Sequence, residues 1–180
     1  MEVLEGIYTR RSVRRYTDAP IADSQVRALI RAALSAPSAA NRRPVHFIVV
    51  RDRQAREAFA AFHPYAKMLP GAQLGVLVCG DTQASAHFWQ QDASAAMENL
   101  LLAAHGMGLG AVWMGIYPDQ TRAAQTAELF GLPAHILPLG MAAVGVPAAL
   151  PDAPDRYEAD RVHLDRWGTP WQEAQDAQGV

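Results

Sequence analysis

The stretch FWQQDASAAMENLLLAAHGMGLG, residues 88–110, constrains this chain more than any other. Between Ala93 and Met107 nearly every position around a helical wheel is apolar, and many of the residues are small. A helix that is apolar all round has no face to offer to water, so it must be buried. In 180 residues that leaves two places for it, the centre of the fold or an interface between subunits. A chain of this length fits one domain and buries roughly 70% of the surface its unfolded form exposes, so it needs no covalent staples. The balance of 50% hydrophobic and 19% charged residues is that of a globular protein.

Around this helix the sequence predicts alternating elements. VLEGIYTR, apolar at 3, 4, 7 and 8, has helical spacing and delivers arginines at its carboxyl end. DSQVRALIRAALSAP opens with the cap-type residues Asp23 and Ser24, repeats Val26, Leu29, Ile30 and Ala33 at helical period, and is stopped by Pro37. HFIVVRD (46–52) reads as a strand, RQAREAFAAF as a helix, and AQLGVLVCGD (72–81) as a second, buried strand. AVWMGIYP is a third strand, followed by the helix DQTRAAQTAELFG, which Gly131 closes. ILPLGMAAVGVP is a fourth, for which Pro138 and the glycines predict an irregular or edge position. The tail APDRYEADRVHLDRWGTPW has no periodicity but carries Tyr157, Trp167 and Trp171, which suits an arm docked on another surface. The alternation fits α/β or α+β. The Gly-x-Gly-x-Gly in GMGLGAVW precedes a strand, the wrong order for a dinucleotide fingerprint.

Near the amino terminus TRRSVRRY (9–16) sets four arginines within six positions, in a chain of formal net charge −2 and pI about 6.3. That balance makes the cluster a local device rather than a nucleic-acid footprint. His63, His87, His105, His135 and His163, five of the six histidines, are scattered, so no metal site is expected. No Gly-x-Ser-x-Gly occurs, and Ser12, Ser38 and Ser94 have no neighbouring histidine. Cys79, the only cysteine, sits in an apolar run and reads as a small buried hydrophobe. With no run of eighteen apolar residues, and Glu2 and Glu5 where a leader would be basic, the cytoplasm is the expected compartment. A chain so poor in catalytic groups points to a borrowed one, since cofactors carry hydride and electron chemistry. Arginine's planar fork matches a phosphate monoester. APSAANRRPVHF (36–47) adds a loop of small residues around Asn41, whose amide suits a heterocycle edge. Together they suggest a phosphorylated aromatic cofactor. Taken singly, the arginines also fit a solvated helix end, and Asn41 an ordinary turn.

Four stretches in one order, RRSVRRY, APSAANRRPVHFIVV, WQQDASAAMENLLLAAHGMGLGAVWMGIYP and DRYEADRVHLDRW, resemble the FMN-dependent nitroreductase family over nearly the whole chain. HPYAKM (63–68) is similar to its short bacterial-type members. The resemblance implies an α+β sandwich, a mixed and largely antiparallel sheet flanked by helices, in an intertwined homodimer with FMN at the interface. It implies one FMN-binding domain over residues 1–168, including a carboxyl-terminal arm, and a flexible tail at 169–180. The central helix would then be the dimer core. By likeness, Arg10, Arg11, Ser12 and Arg14 hold the FMN phosphate and ribityl chain, joined by Arg156. Pro37, Ser38, Ala39 and Asn41 pass along the isoalloxazine from the partner chain. Trp113, Met114 and Gly115 line its other side, with a backbone N–H at the hydride-accepting nitrogen. Arg43 and Val45 stand where many relatives carry glutamine and tryptophan, so Arg43 joins Asn41 near the ring's pyrimidine oxygens. PDR lacks the lysine that often precedes the tail arginine, which shifts phosphate binding toward the first cluster. His63, Tyr65, Lys67 and Met68 are candidates for a substrate mouth.

The activity implied is ping-pong transfer. NADH or NADPH gives hydride to FMN, and a small-molecule acceptor such as a nitroaromatic or quinone then takes the electrons, with no metal, nucleic acid or membrane involved. The same scaffold also serves reductive dehalogenation, flavin cleavage and dehydrogenation. From another class, the Arg10–Arg15 cluster fits a non-enzymatic protein that binds nucleic acid or an acidic partner.

Overall fold

The computed structural model describes residues 1–171. Its elements are α1 (Val3–Thr9), α2 (Asp23–Leu34), β1 (Val45–Val50), α3 (Arg53–Phe62), β2 (Leu74–Asp81), α4 (Trp89–Gly106), β3 (Gly110–Gly115), α5 (Gln120–Phe130) and β4 (Ile136–Gly145). Short 3-10 turns stand at Ala39–Asn41, Leu69–Gly71 and Ala159–Arg161. The four strands form one sheet in the order β1-β2-β4-β3, and all three ladders are antiparallel. The one parallel pairing among the described residues is the isolated bridge between Ser12 and Ala111. The architecture is α+β, with helices on both faces of the sheet.

Strand burial follows position. β2 is central and apolar along its length, so both of its faces are covered, whereas β1 and β3 are edges with exposed positions. On one face α2 and α4 pack over Leu29, Val76, Val78, Met97 and Leu100; on the other α3 and α5 enclose Phe59, Leu77, Met114 and Met141. Of the two places open to α4, the chain itself takes it into the centre. Trp89, Ala93, Ala96, Met97, Leu100, Leu101 and Ala104 are buried without help from a second copy. Ala95, Leu102 and Ala103, on its remaining side, are half-buried.

β4 is not an edge strand; it lies between β2 and β3. Pro138 is tolerated there because the register shifts. Val78 faces Gly140 while Cys79 faces Pro138, which leaves Leu139 as an extra residue in a bulge. The bulged Leu139 carbonyl accepts from the N–H groups of Ile116 (3.0 Å) and Tyr117 (3.1 Å). The irregularity is therefore real, and the ladder absorbs it.

Glycine at 140 is required by a close approach. A Cβ there would lie 2.3 Å from Trp113 Nε1 and 2.8 Å from the Met114 carbonyl oxygen. The backbone neighbour cannot step aside, so Gly140→Ala should destabilise the fold by about 1–3 kcal/mol through overpacking. The lowered denaturation midpoint should come with a shifted tryptophan emission, as Trp113 is pushed off the strand.

The arm beyond β4 is tied down locally. His163 and Pro170 form a bridge, and Trp171 N–H donates to the Val162 carbonyl (3.2 Å). Of the tail expected from 169, residues 172–180 lie outside the described residues.

Candidate functional site

The arginine segment is built differently from a helix end. α1 stops at Thr9, and Arg10, at φ −58° and ψ 130°, turns the backbone into an extended run. That run lies along the outer edge of β3. Val13 N–H donates to the Ala111 carbonyl (2.9 Å), Tyr16 bridges Pro147, and the Tyr16 hydroxyl donates to the Val13 carbonyl (2.6 Å). Gly110 makes the approach possible, since a Cβ there would meet Val13 at 2.6 Å. Extended geometry spaces residues about 3.3 Å apart, so Arg14 is not stacked on Arg10 and Arg11 as helical spacing would have it. Arg14 is exposed and lies outside the groove described next.

That groove, about 740 Å³, runs between residues 7–11 and residues 153–157. Arg10 Nε pairs with Glu98 Oε1 on α4 at 3.1 Å. Arg11 donates from Nη1 to the carbonyls of Tyr8 (2.8 Å) and Arg10 (2.7 Å), and from Nη2 to that of Pro154 (2.9 Å). Its Nε is buried with no partner, and no carboxylate pairs with it among the described residues. Loss of solvent first, then the charges of Arg156 and Arg10, push Arg11 below its ordinary pKa. Three like charges with an unspent N–H form a site that an anion would relieve. Beneath it, Thr9 Oγ1 donates to the Glu5 carbonyl (2.6 Å), so His105 Nε2 donates to Thr9 Oγ1 (2.8 Å). Burial, followed by Arg10, holds His105 below the usual imidazole range. The neutral ring braces α1 against α4.

β3 supplies the second component. Ala111 gives its carbonyl to Val13 rather than to β4, so by strand alternation Trp113 and Gly115 also turn their backbone groups to the open edge. The Gly115 carbonyl confirms the parity by accepting from His63 Nε2 (2.8 Å) and Arg122 Nη1 (3.1 Å). Trp113, 36% exposed, and Gly115 therefore present N–H groups to one side. Met114 does not share that side. Alternation sends its side chain into the α3–α5 core and its N–H toward β4.

His63 is not a mouth residue within this chain. It is 1% exposed, stacked on Phe59 at 5.1 Å, and accepts Tyr65 N–H at Nδ1 (3.3 Å), which fixes the proton on Nε2 toward Gly115. It braces the end of β3. Tyr65 and Lys67 are exposed, and Met68 packs half-buried on the α3 side of the core.

The third component is the loop 37–43. Asn41 and Arg43 are exposed, with φ of 52° and 51°, and Ser38 Oγ accepts Arg43 N–H (3.0 Å). Pro37, Ser38 and Arg43 line a separate cavity of about 20 Å³ with Asp92, apart from the arginine groove. Within one chain the arginine segment lies on the edge of β3, and the loop's cavity shares no lining residue with the arginine groove. Glu98, Asp92 and His105 are the polar partners not singled out from the sequence. The two carboxylates are the only acids in α4, a largely apolar helix, and that isolation is the signal for them. Among the described residues no cluster of three metal-ligating side chains occurs, and no helix is long and apolar enough to cross a membrane.

The Nitroreductase family model matches residues 7–70 and 63–146. A Methanothermobacter thermautotrophicus protein described as an NADH dehydrogenase/NAD(P)H nitroreductase is 43% identical over 93% of this chain and 88% of its own. A crystal structure of a protein so described from Parabacteroides distasonis superposes with a TM-score of 0.90 at 42% identity, covering 92% of this chain and 98% of the other. An FMN-bound nitroreductase structure from Desulfovibrio desulfuricans gives 0.80 at 34% identity, over 93% and 98%. Fold, length and sequence agree with one another, and the chain belongs to the nitroreductase family.

Proposed function

We propose that the protein is an FMN-dependent NAD(P)H oxidoreductase, acting as a cytoplasmic homodimer on a small-molecule acceptor, with residues 1–168 forming one FMN-binding domain. The observation that carries this reading is the groove where Arg10, Arg11 and Arg156 converge, with Arg11 Nε buried and unpaired. That donor set fits a phosphate monoester, whose oxygens would take over from the Pro154 carbonyl. Ser12 and Arg14 extend the donors along the same segment. When bound, FMN supplies a two-electron relay between nicotinamide and acceptor. The chain's own part is to bind, orient and shield. Trp113 and Gly115 offer edge N–H groups to the ring. Pro37, Ser38, Ala39, Asn41 and Arg43 form the surface for its other edge. Since that loop lies apart from the groove in one chain, it would come from a second copy.

With a quinone as acceptor the balance is NAD(P)H, quinone and one proton going to NAD(P)⁺ and hydroquinone. Purified protein should therefore carry a flavin absorption spectrum, release FMN on denaturation, and oxidise NADH or NADPH in the presence of quinones or nitroaromatics. Tyr65, Lys67 and Met68 are the residues to vary in an acceptor panel that includes halogenated phenols. Colourless protein that takes up no added FMN, and shifts DNA in a steeply salt-dependent way, would replace this reading with the nucleic-acid one.

A further inference from the structure

We infer that Asp92 is the positioning residue that sets the shape of the 38–43 loop and thereby aims Asn41 and Arg43. The inference rests on the proposed function for what the loop faces, and on the structure alone for what holds it. Ala40, Asn41 and Arg43 have φ of 51°, 52° and 51°, a conformation that side-chain-bearing residues avoid. Such a backbone persists only when its surroundings over-determine it. Most of the bonds here are internal: Asn41 N–H to the Ser38 carbonyl (3.0 Å), Arg42 N–H to that of Ala39 (3.1 Å) and Arg43 N–H to Ser38 Oγ (3.0 Å). The side chain that reaches in from outside is Asp92, whose Oδ1 accepts Ala39 N–H at 2.9 Å across 53 positions of sequence.

Asp92 stands in the first turn of α4, yet its bond goes to the loop and not to the helix's own amides. It is 5% exposed, and its second oxygen, Oδ2, is buried with no partner. An alanine or leucine would sit more cheaply among these neighbours. What the carboxylate gains there is its bond to the loop. The small cavity it shares with Pro37, Ser38 and Arg43 has room for about one water molecule. Loop, cavity and buried acid form one unit.

Three variants separate the roles. Asp92→Ala removes the acceptor, and Asp92→Asn keeps one. Ala39→Pro removes only the donor; Ala39 has negative φ, and Ser38 before it, at φ −137° and ψ 148°, already has the extended shape a following proline requires. In apo-protein, hydrogen exchange at the amides of 40–43 should quicken in Asp92→Ala and Ala39→Pro, locally, and stay near wild type in Asp92→Asn. In holoprotein, the first two should raise the FMN dissociation constant about tenfold and shift the midpoint potential of the flavin still bound. Asp92→Asn should stay within about threefold, and the double variant should be no worse than the worse single one. Should Asp92→Ala not fold, Ala39→Pro carries the test. Unaltered loop exchange together with an unaltered potential would overturn the inference. Wild-type protein that binds no FMN would overturn the proposed function while leaving the exchange result to stand.

Discussion

Arg11→Ala should weaken FMN binding by about 1.5–3 kcal/mol, the range for a hydrogen bond to a charged group, or roughly 10- to 150-fold in the dissociation constant. Arg11 carries the largest effect of the cluster because its charge is the least compensated. Arg10 already has Glu98 at 3.1 Å, so part of what it offers an anion is spent on α4. Arg14 is exposed on an extended run, where water screens it. The expected order of loss is therefore Arg11→Ala, then Arg10→Ala, then Arg14→Ala. Arg11→Lys should not restore affinity, since a single ammonium cannot keep the Tyr8 and Arg10 carbonyls and also present a planar fork to a phosphate. Titrating apo-protein with FMN and following flavin fluorescence measures all four. Equal affinity in Arg11→Ala and wild type would remove Arg11 from the site.

That order differs from what residue spacing alone predicts, and the difference shows where the sequence is legible. β2, α4 and α5 follow directly from continuous apolar runs, helical period and Gly131, whose φ of 65° closes α5. The arginine register does not. No glycine or proline marks the end of α1, so the contacts with Ala111 and Pro147, far along the sequence, are what show the segment to be extended. β3 was half legible. Its existence was plain, but the fact that Met114 faces inward while Trp113 and Gly115 face the edge depends on which strand pairs with Ala111. His63 lies in the HPYAKM run that offers a candidate substrate mouth, and is drawn inside by Phe59 and by the Gly115 carbonyl. Pro138 signalled irregularity correctly. It could not show that a bulge would let the strand stay central.

Leu4→Glu or Ile7→Glu should yield monomers that have lost FMN. α1 leaves Val3 76%, Leu4 60%, Ile7 48% and Tyr8 66% exposed and buries only Gly6, and seven residues cannot hold a helix without packing. The arm adds Tyr157, Leu164 and Trp167, the last 91% exposed. So much apolar surface on α1, which lines the arginine groove, and on the arm suits an interface with a second copy. α4 offers less of it, since Ala96 is 1% exposed inside its own chain. Ala96→Glu would thus unfold the protomer and report nothing about association. In a two-fold dimer each substitution appears twice. Losing the burial of one Leu or Ile, about 1.5–3 kcal/mol, becomes about 3–6 kcal/mol per dimer, before the cost of burying glutamate. Sedimentation at micromolar concentration should show the monomer. FMN should leave with the partner, because Asn41 and Arg43 lie apart from the groove in a single chain. A monomer that keeps its FMN would put the entire site within one chain, and a dimer unmoved by both substitutions would place the interface on another surface than α1.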